Sequence, residues 1–132
     1  MVNIETIIEK VRNYNSQSNA PRIKSAYKFA ERAHDGQLRK SGEPYITHPL
    51  CIANALTEYK ADEDTIIAAL LHDVPEDTGY DLKTIEKKFG GNVAFLVDGV
   101  TKVRKEFKKA ASSAQKTETL RKIISSIAKD QR

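Results

Sequence analysis

The sequence predicts an all-α fold. Three observations carry that reading. Apolar residues recur at helical spacing along almost the whole chain, no segment sustains the alternation of a half-buried strand, and capping residues fall between the periodic segments. At 132 residues the chain has the size of one domain. A chain of this length buries roughly two-thirds of its unfolded surface, so it can form a core without disulfide staples.

Taken in order, Ile4, Ile7, Ile8 and Val11 repeat at i, i+3, i+4, i+7, with Asn3 placed to cap them. Ile23, Ala26, Tyr27 and Ala30 form a second face, opened by Pro21 and closed by Gly36. Arg39 to Pro44 is a polar loop. Thr47 is the expected N-cap of a third helix, Pro49 fits its first turn, and Ile52, Ala53, Leu56 and Tyr59 are its inner face. Asp62 caps a fourth segment, whose run from Ile66 to Leu71 is apolar on all sides, the mark of a central helix. Pro75 cannot donate its N–H and biases Val74 away from helix, so this helix is expected to break near Asp73 and a new turn to begin at Pro75. Thr78 to Asp81 is a turn. A short helix from Leu82 to Phe89 stops at Gly90-Gly91, and Val93, Leu96, Val97 and Val100 mark the next. Arg104 to Ser113 lacks periodicity until its end and reads as a mobile loop. Leu120, Ile123, Ile124 and Ile127 give a last amphipathic helix.

Composition narrows the function classes. The apolar run from Ile66 to Leu71 is far too short to span a bilayer, and no secretory signal opens the chain, so no membrane partner is expected. The single cysteine, Cys51, excludes an internal disulfide and a Cys-only metal cage, and a reducing, cytoplasmic location is the default. The net charge of +4 is mildly basic and fits a phosphorylated small ligand. From Lys102 to Lys109 the chain is strongly basic, but only Phe107 interleaves an aromatic and no nucleic-acid motif is present, so a solvated segment is the better reading and no nucleic-acid partner is expected.

The chemistry concentrates at the histidines. His34 lies at the end of its helix and reads as a capping or core residue. His72-Asp73 ends the most apolar helix, where ionisable groups are costly without a partner. His48 opens the preceding helix. If those two helices pack antiparallel, His48, His72 and Asp73 converge, and two imidazoles with a carboxylate suit Mn²⁺, Fe²⁺ or Zn²⁺. Glu76-Asp77 adds an acidic pair, suited both to a helix N-terminus and to removing a proton from an activated water.

Several long stretches, in order, resemble one family. They are Phe29-Ala30 with Ala33-His34-x-Gly36-Gln37, then Arg39-Lys40-Ser41-Gly42-Glu43-Pro44-Tyr45-Ile46-x-His48-Pro49, then Ala69-Leu70-Leu71-His72-Asp73-x-x-Glu76-Asp77-Thr78, then Phe89-Gly90 and Val97-x-Gly99-Val100-Thr101-Lys102. This pattern resembles the hydrolase domain of the RelA/SpoT homologues, enzymes of the HD phosphohydrolase superfamily that hydrolyse the alarmone (p)ppGpp. The resemblance runs from about residue 5 to residue 132.

The resemblance implies an HD-domain helical bundle with one Mn²⁺ held by two histidines, the HD aspartate and a distal aspartate. His48, His72 and Asp73 match the first three. Glu76 and Asp77 match the acidic pair credited with activating water at the 3′-pyrophosphate. Arg39 and Lys40 match the loop that meets guanine and phosphates, with Ser41 a weaker match. The implied reaction releases pyrophosphate from (p)ppGpp and leaves GDP or GTP, without a covalent intermediate.

Two departures qualify it. Pro75 stands where the family carries an aliphatic residue, which bears on the placement of Glu76 and Asp77. The family's distal aspartate lies in an Ala-Asp-Arg-Leu-His-Asn-like motif beyond the counterpart of the Leu120–Asp130 helix, and the given sequence ends at Arg132. Residues 1–132 are therefore expected to form an HD-type alarmone hydrolase domain truncated at its C-terminal end, binding metal weakly and hydrolysing (p)ppGpp poorly or not at all, with neither Asp98 nor Asp130 expected as a replacement ligand. Two other readings stay open: a non-catalytic module that binds a guanine nucleotide or a partner, and an HD phosphohydrolase for another phosphorylated nucleotide.

Overall fold

A computed structural model of the chain describes residues 3–38 and 42–107, with the side chains of Asp77 and of residues 101–107 outside the description. Among the described residues there are seven helices: α1 (Ile4–Tyr14), α2 (Ala20–Ala33), α3 (Thr47–Thr57), α4 (Glu63–Leu71), α5 (Val74–Asp77), α6 (Leu82–Phe89) and α7 (Gly91–Phe107). Among the described residues the one β feature is an isolated bridge, Leu38 to Pro44, which closes the neck of the polar loop.

Local chemistry sets most of these boundaries. The side chains of Asn3, Asn19, Asp62 and Asp81 each accept a hydrogen bond from a backbone N–H in the first turn of the helix that follows, at 2.9 to 3.1 Å. Each satisfies one of the donors that a helix start leaves without an intrahelical partner. Helix α4 ends at Leu71, the break expected near Asp73, and the single turn α5 begins at Val74, one residue before the expected start at Pro75. Gly90, at φ +101°, separates α6 from α7 in a conformation that L side chains rarely adopt.

Four local expectations are corrected. Thr47 is the first residue of α3 and not its cap: Ile46 holds the cap position, and the Thr47 hydroxyl donates to the Pro44 carbonyl at 2.8 Å. Tyr59 is not on the inner face of α3 but half exposed, because the helix ends at Thr57 and the chain turns away. Gly91 does not belong to the stop after α6; it opens α7. The backbone from Arg104 to Phe107 is helical, so α7 runs through the first part of the stretch read as a loop. Glu106 and Phe107 follow a run of good helix formers, and propensity decides there where apolar periodicity is weak. The remainder of that stretch and the Leu120–Ile127 helix lie outside the described residues.

Helix α4 is the centre of the bundle. Every residue from Thr65 to Leu71 is buried, and α4 packs against α2, α3 and α7. Truncating Leu70, which is fully buried, would cost about 2–5 kcal/mol. The turn between α3 and α4 makes these helices antiparallel neighbours. In it the Lys60 N–H donates to Thr57 O and the Ala61 N–H to Leu56 O, with Lys60 at φ 54°. This is a Schellman closure built on a lysine in place of the usual glycine. The Tyr14 hydroxyl donates to Ala61 O at 2.6 Å and ties the turn to α1.

Candidate metal centre

The antiparallel packing of α3 on α4 brings the first turn of one helix beside the last turn of the other. His48 projects from the start of α3; His72 occupies the cap position after α4, and Asp73 follows it. His48 Nε2 lies 3.6 Å from Asp73 Oδ2, and His72 Nε2 lies 3.1 Å from the same oxygen. One donor atom from each of the three residues falls within 4.8 Å of the others. The expected convergence is present.

Burial is deep. His72 and Asp73 are fully buried, and the His48 side chain keeps 17% of its exposure. His72 Nδ1 stands 2.6 Å from the Ala69 carbonyl. A carbonyl only accepts, so Nδ1 carries a proton; in the neutral form of the ring the lone pair is therefore at Nε2, the nitrogen 3.1 Å from Asp73 Oδ2. The tautomer is thus set for a ligand role at Nε2, as in metal-binding histidines whose other nitrogen is held by a carbonyl. Two imidazole nitrogens and one carboxylate oxygen are a donor set for Mn²⁺, Fe²⁺ or Zn²⁺. On this chemistry the residues fit a divalent ion.

The other expected site residues stand as follows. Glu76 is on α5, in the turn directly after Asp73, and is exposed. The backbone of Asp77 ends the same turn, while its side chain lies outside the described residues. Arg39, Lys40 and Ser41 also lie outside them; the loop that carries them is anchored by the Leu38–Pro44 bridge and by the Tyr45 N–H donating to Gln37 O at 3.0 Å. His34 caps α2 and is buried, as expected, with Nδ1 3.0 Å from Gln37 Oε1.

One neighbour was not anticipated from the sequence. The Tyr45 hydroxyl donates to Asp73 Oδ2 at 2.6 Å. Its ring sits 4.6 Å from the His34 ring and 5.8 Å from the His48 ring, centroid to centroid. The available signal was weak: a tyrosine between Pro44 and Ile46, three positions before His48.

These features define a class, a helical domain with a buried His-Asp pair joined by a histidine from the preceding helix. The sequence profile of the HD domain matches residues 26–132, and the chain belongs to that family. Its relatives within the family are of the RelA/SpoT type. It is 43% identical over 126 residues to the "Bifunctional (p)ppGpp synthase/hydrolase SpoT" of Escherichia coli, covering 96% of this chain and 18% of that protein. It is 45% identical over 131 residues to the "Guanosine-3′,5′-bis(diphosphate) 3′-pyrophosphohydrolase" of Aquifex aeolicus, covering 99% of this chain and 18% of the relative. A "GTP pyrophosphokinase" of Streptomyces coelicolor is 49% identical over 116 residues, 87% of this chain and 13% of that one. The chain therefore spans less than a fifth of these relatives' length. Among solved structures, one described as a metazoan ortholog of SpoT that hydrolyses ppGpp superposes with a TM-score of 0.63 at 27% identity, covering 83% of this chain and 68% of that one. No helix among the described residues is long and apolar enough to cross a membrane.

Proposed function

We propose that the chain is an HD-type alarmone hydrolase domain, acting on the 3′-pyrophosphate of (p)ppGpp in the cytoplasm and using Mn²⁺. The observation that carries this is the gathering of His48, His72 and Asp73 at the buried end of α4, immediately before Glu76-Asp77. Relatives named as (p)ppGpp hydrolases support the substrate.

In this reading His48 Nε2, His72 Nε2 and Asp73 hold the ion. When bound, a divalent cation supplies Lewis acidity, making a water molecule easier to deprotonate and drawing charge from phosphoryl oxygens. Glu76 and Asp77 take the proton of the attacking water. The water oxygen bonds to the phosphorus attached to O3′, the P–O3′ bond breaks, O3′ ends protonated, and pyrophosphate leaves. Arg39 and Lys40 meet the guanine and the phosphates, with Ser41 a further polar contact. His72 needs no proton transfer of its own, since its Nδ1–H is committed to Ala69.

The test is pyrophosphate release from ppGpp in the presence of Mn²⁺, with His72→Ala and Glu76→Gln beside the unaltered chain. Mn²⁺-dependent release that both variants lose is the expected result. Release that survives His72→Ala rejects the site. Mn²⁺ binding without any release, both from this chain and from one extended by roughly fifty residues past Arg132, rejects the hydrolase reading in favour of a non-catalytic nucleotide-binding module.

A further inference from the structure

We propose that Tyr45 is a positioning residue of the metal centre, its hydroxyl fixing the orientation of the Asp73 carboxylate at the oxygen that faces both histidines. This rests on the metal reading given under Proposed function and goes beyond it, because the residue expected to act is outside the ligand set.

The geometry is specific. Asp73 Oδ2 receives the Tyr45 hydroxyl at 2.6 Å, and it is this same oxygen that lies 3.1 Å from His72 Nε2 and 3.6 Å from His48 Nε2. A carboxylate can turn about its own side-chain bonds, and a strong charge-assisted hydrogen bond removes that freedom. Tyr45 can serve as a fixed point because it is itself held. Its N–H donates to Gln37 O at 3.0 Å, and its ring leans on His34, whose Nδ1 is 3.0 Å from the Gln37 side chain. On the other side the ring meets His48 edge-on, so one tyrosine touches a carboxylate ligand by its hydroxyl and an imidazole ligand by its ring. An aliphatic residue would fill the same space without restraining either. Partners of this kind around metal ligands set their orientation, and losing one costs about 10- to 100-fold in metal affinity.

The experiment uses the 132-residue chain with Mn²⁺ and Co²⁺ as probes. Tyr45→Phe removes the hydroxyl and keeps both ring contacts, so its fold, checked by circular dichroism, is expected to hold. Tyr14→Phe is the control: it removes a hydrogen bond of equal length, 2.6 Å, on α1. By calorimetric titration Tyr45→Phe should bind Mn²⁺ about tenfold more weakly. Its Co²⁺ complex should show displaced visible absorption bands, which report ligand geometry and not fold stability. Tyr14→Phe should lower the melting temperature yet leave the Mn²⁺ affinity and the Co²⁺ spectrum unchanged. A Tyr45→Phe protein that matches the unaltered chain in both readouts overturns the positioning role and leaves the metal site standing. Absence of Mn²⁺ binding by the unaltered chain overturns the metal reading and this inference with it.

Discussion

Each end of α4 carries a polar cluster, and the two are built on opposite logic. At the N-terminal end, Arg22 Nη1 lies 2.6 Å from both Glu63 Oε2 and Asp64 Oδ1, and Arg22 Nη2 donates to the Phe89 carbonyl at 2.6 Å. Glu63 also accepts from the Ser18 hydroxyl and the Asn19 N–H, and Asn92 donates to Asp64. Opposite charges meet there, and the cluster ties α2, α4, α6 and α7 together. At the C-terminal end, one possible ligand atom from each of two imidazoles and a carboxylate gathers within 4.8 Å, in deeper burial. The first arrangement supplies its own cation; the second is a donor set for one. Burial and polarity are common to both ends. What separates a fastening from a site is which groups face one another.

Substitutions at the two ends should therefore fail in different assays. The largest effect is expected from Asp73→Asn, which keeps an acceptor for the Tyr45 hydroxyl but removes the anionic ligand. Mn²⁺ affinity by calorimetric titration should fall on the order of a hundredfold or more, beyond the range of an outer-shell change. The melting temperature of the metal-free protein should move little. Arg22→Met should do the reverse. It keeps the apolar stem, loses about 2–3 kcal/mol by denaturant unfolding because two carboxylates lose a charged donor, and binds Mn²⁺ as the unaltered chain does. Equal loss of metal affinity in both variants would abolish the distinction.

Metal linkage sharpens it. Saturating Mn²⁺ at about 100 times its dissociation constant should stabilise the unaltered chain and Arg22→Met alike by about 2.7 kcal/mol, and Asp73→Asn hardly at all. Thermal melts with and without Mn²⁺ read this directly.

A pH dependence is expected at the N-terminal end. Partial burial alone would raise the Glu63 value, but hydrogen bonds from the Asn19 N–H, Arg22 and Ser18 outweigh it and hold the carboxyl below the ordinary carboxylate range. Burial likewise works to lower the Arg22 value, and its bonds to Glu63 and Asp64 reverse that and raise it. With a lowered folded value, the unfolded chain binds the proton first as pH falls. The Glu63 contribution is therefore complete above the unfolded value of about 4.3 and disappears as pH drops through the folded value. Comparing unfolding free energies of the unaltered chain and Glu63→Gln between neutral and acid pH should show a difference that shrinks in that window. A difference that stays constant through it counts against the assignment. The smallest effect is expected at Lys60, away from both clusters. Lys60→Gly should stabilise the chain by about 1 kcal/mol, by relieving a lysine held at φ 54°, measured as a rise in denaturant midpoint.

Much of this architecture was legible in the sequence because it rests on short-range rules. A cap is a side chain reaching a backbone N–H two or three residues on, so Asn3 and Asp62 announced α1 and α4. The apolar run from Ile66 to Leu71 announced the central helix for the same reason: no exposed face could be assigned to it. His72-Asp73, set in that context, marked a site. Thr47 misled, since a threonine beside a helix start can bond backward to a carbonyl as readily as cap forward, and here it bonds to Pro44.

What the sequence determined by itself was where the helices lie, which one is innermost, and that an ionisable pair sits at its buried end. Periodicity, caps and proline breaks fix those within a turn or two of chain. Only the tertiary structure decided that His48 lands 3.6 Å from Asp73, that Tyr45 reaches the same carboxylate, and that Arg22 finds Glu63 and Asp64. Those meetings depend on the tight turn at Lys60 and on how α2 and α3 lie on α4, which are set by packing of whole faces and leave no local pattern in the residues that meet.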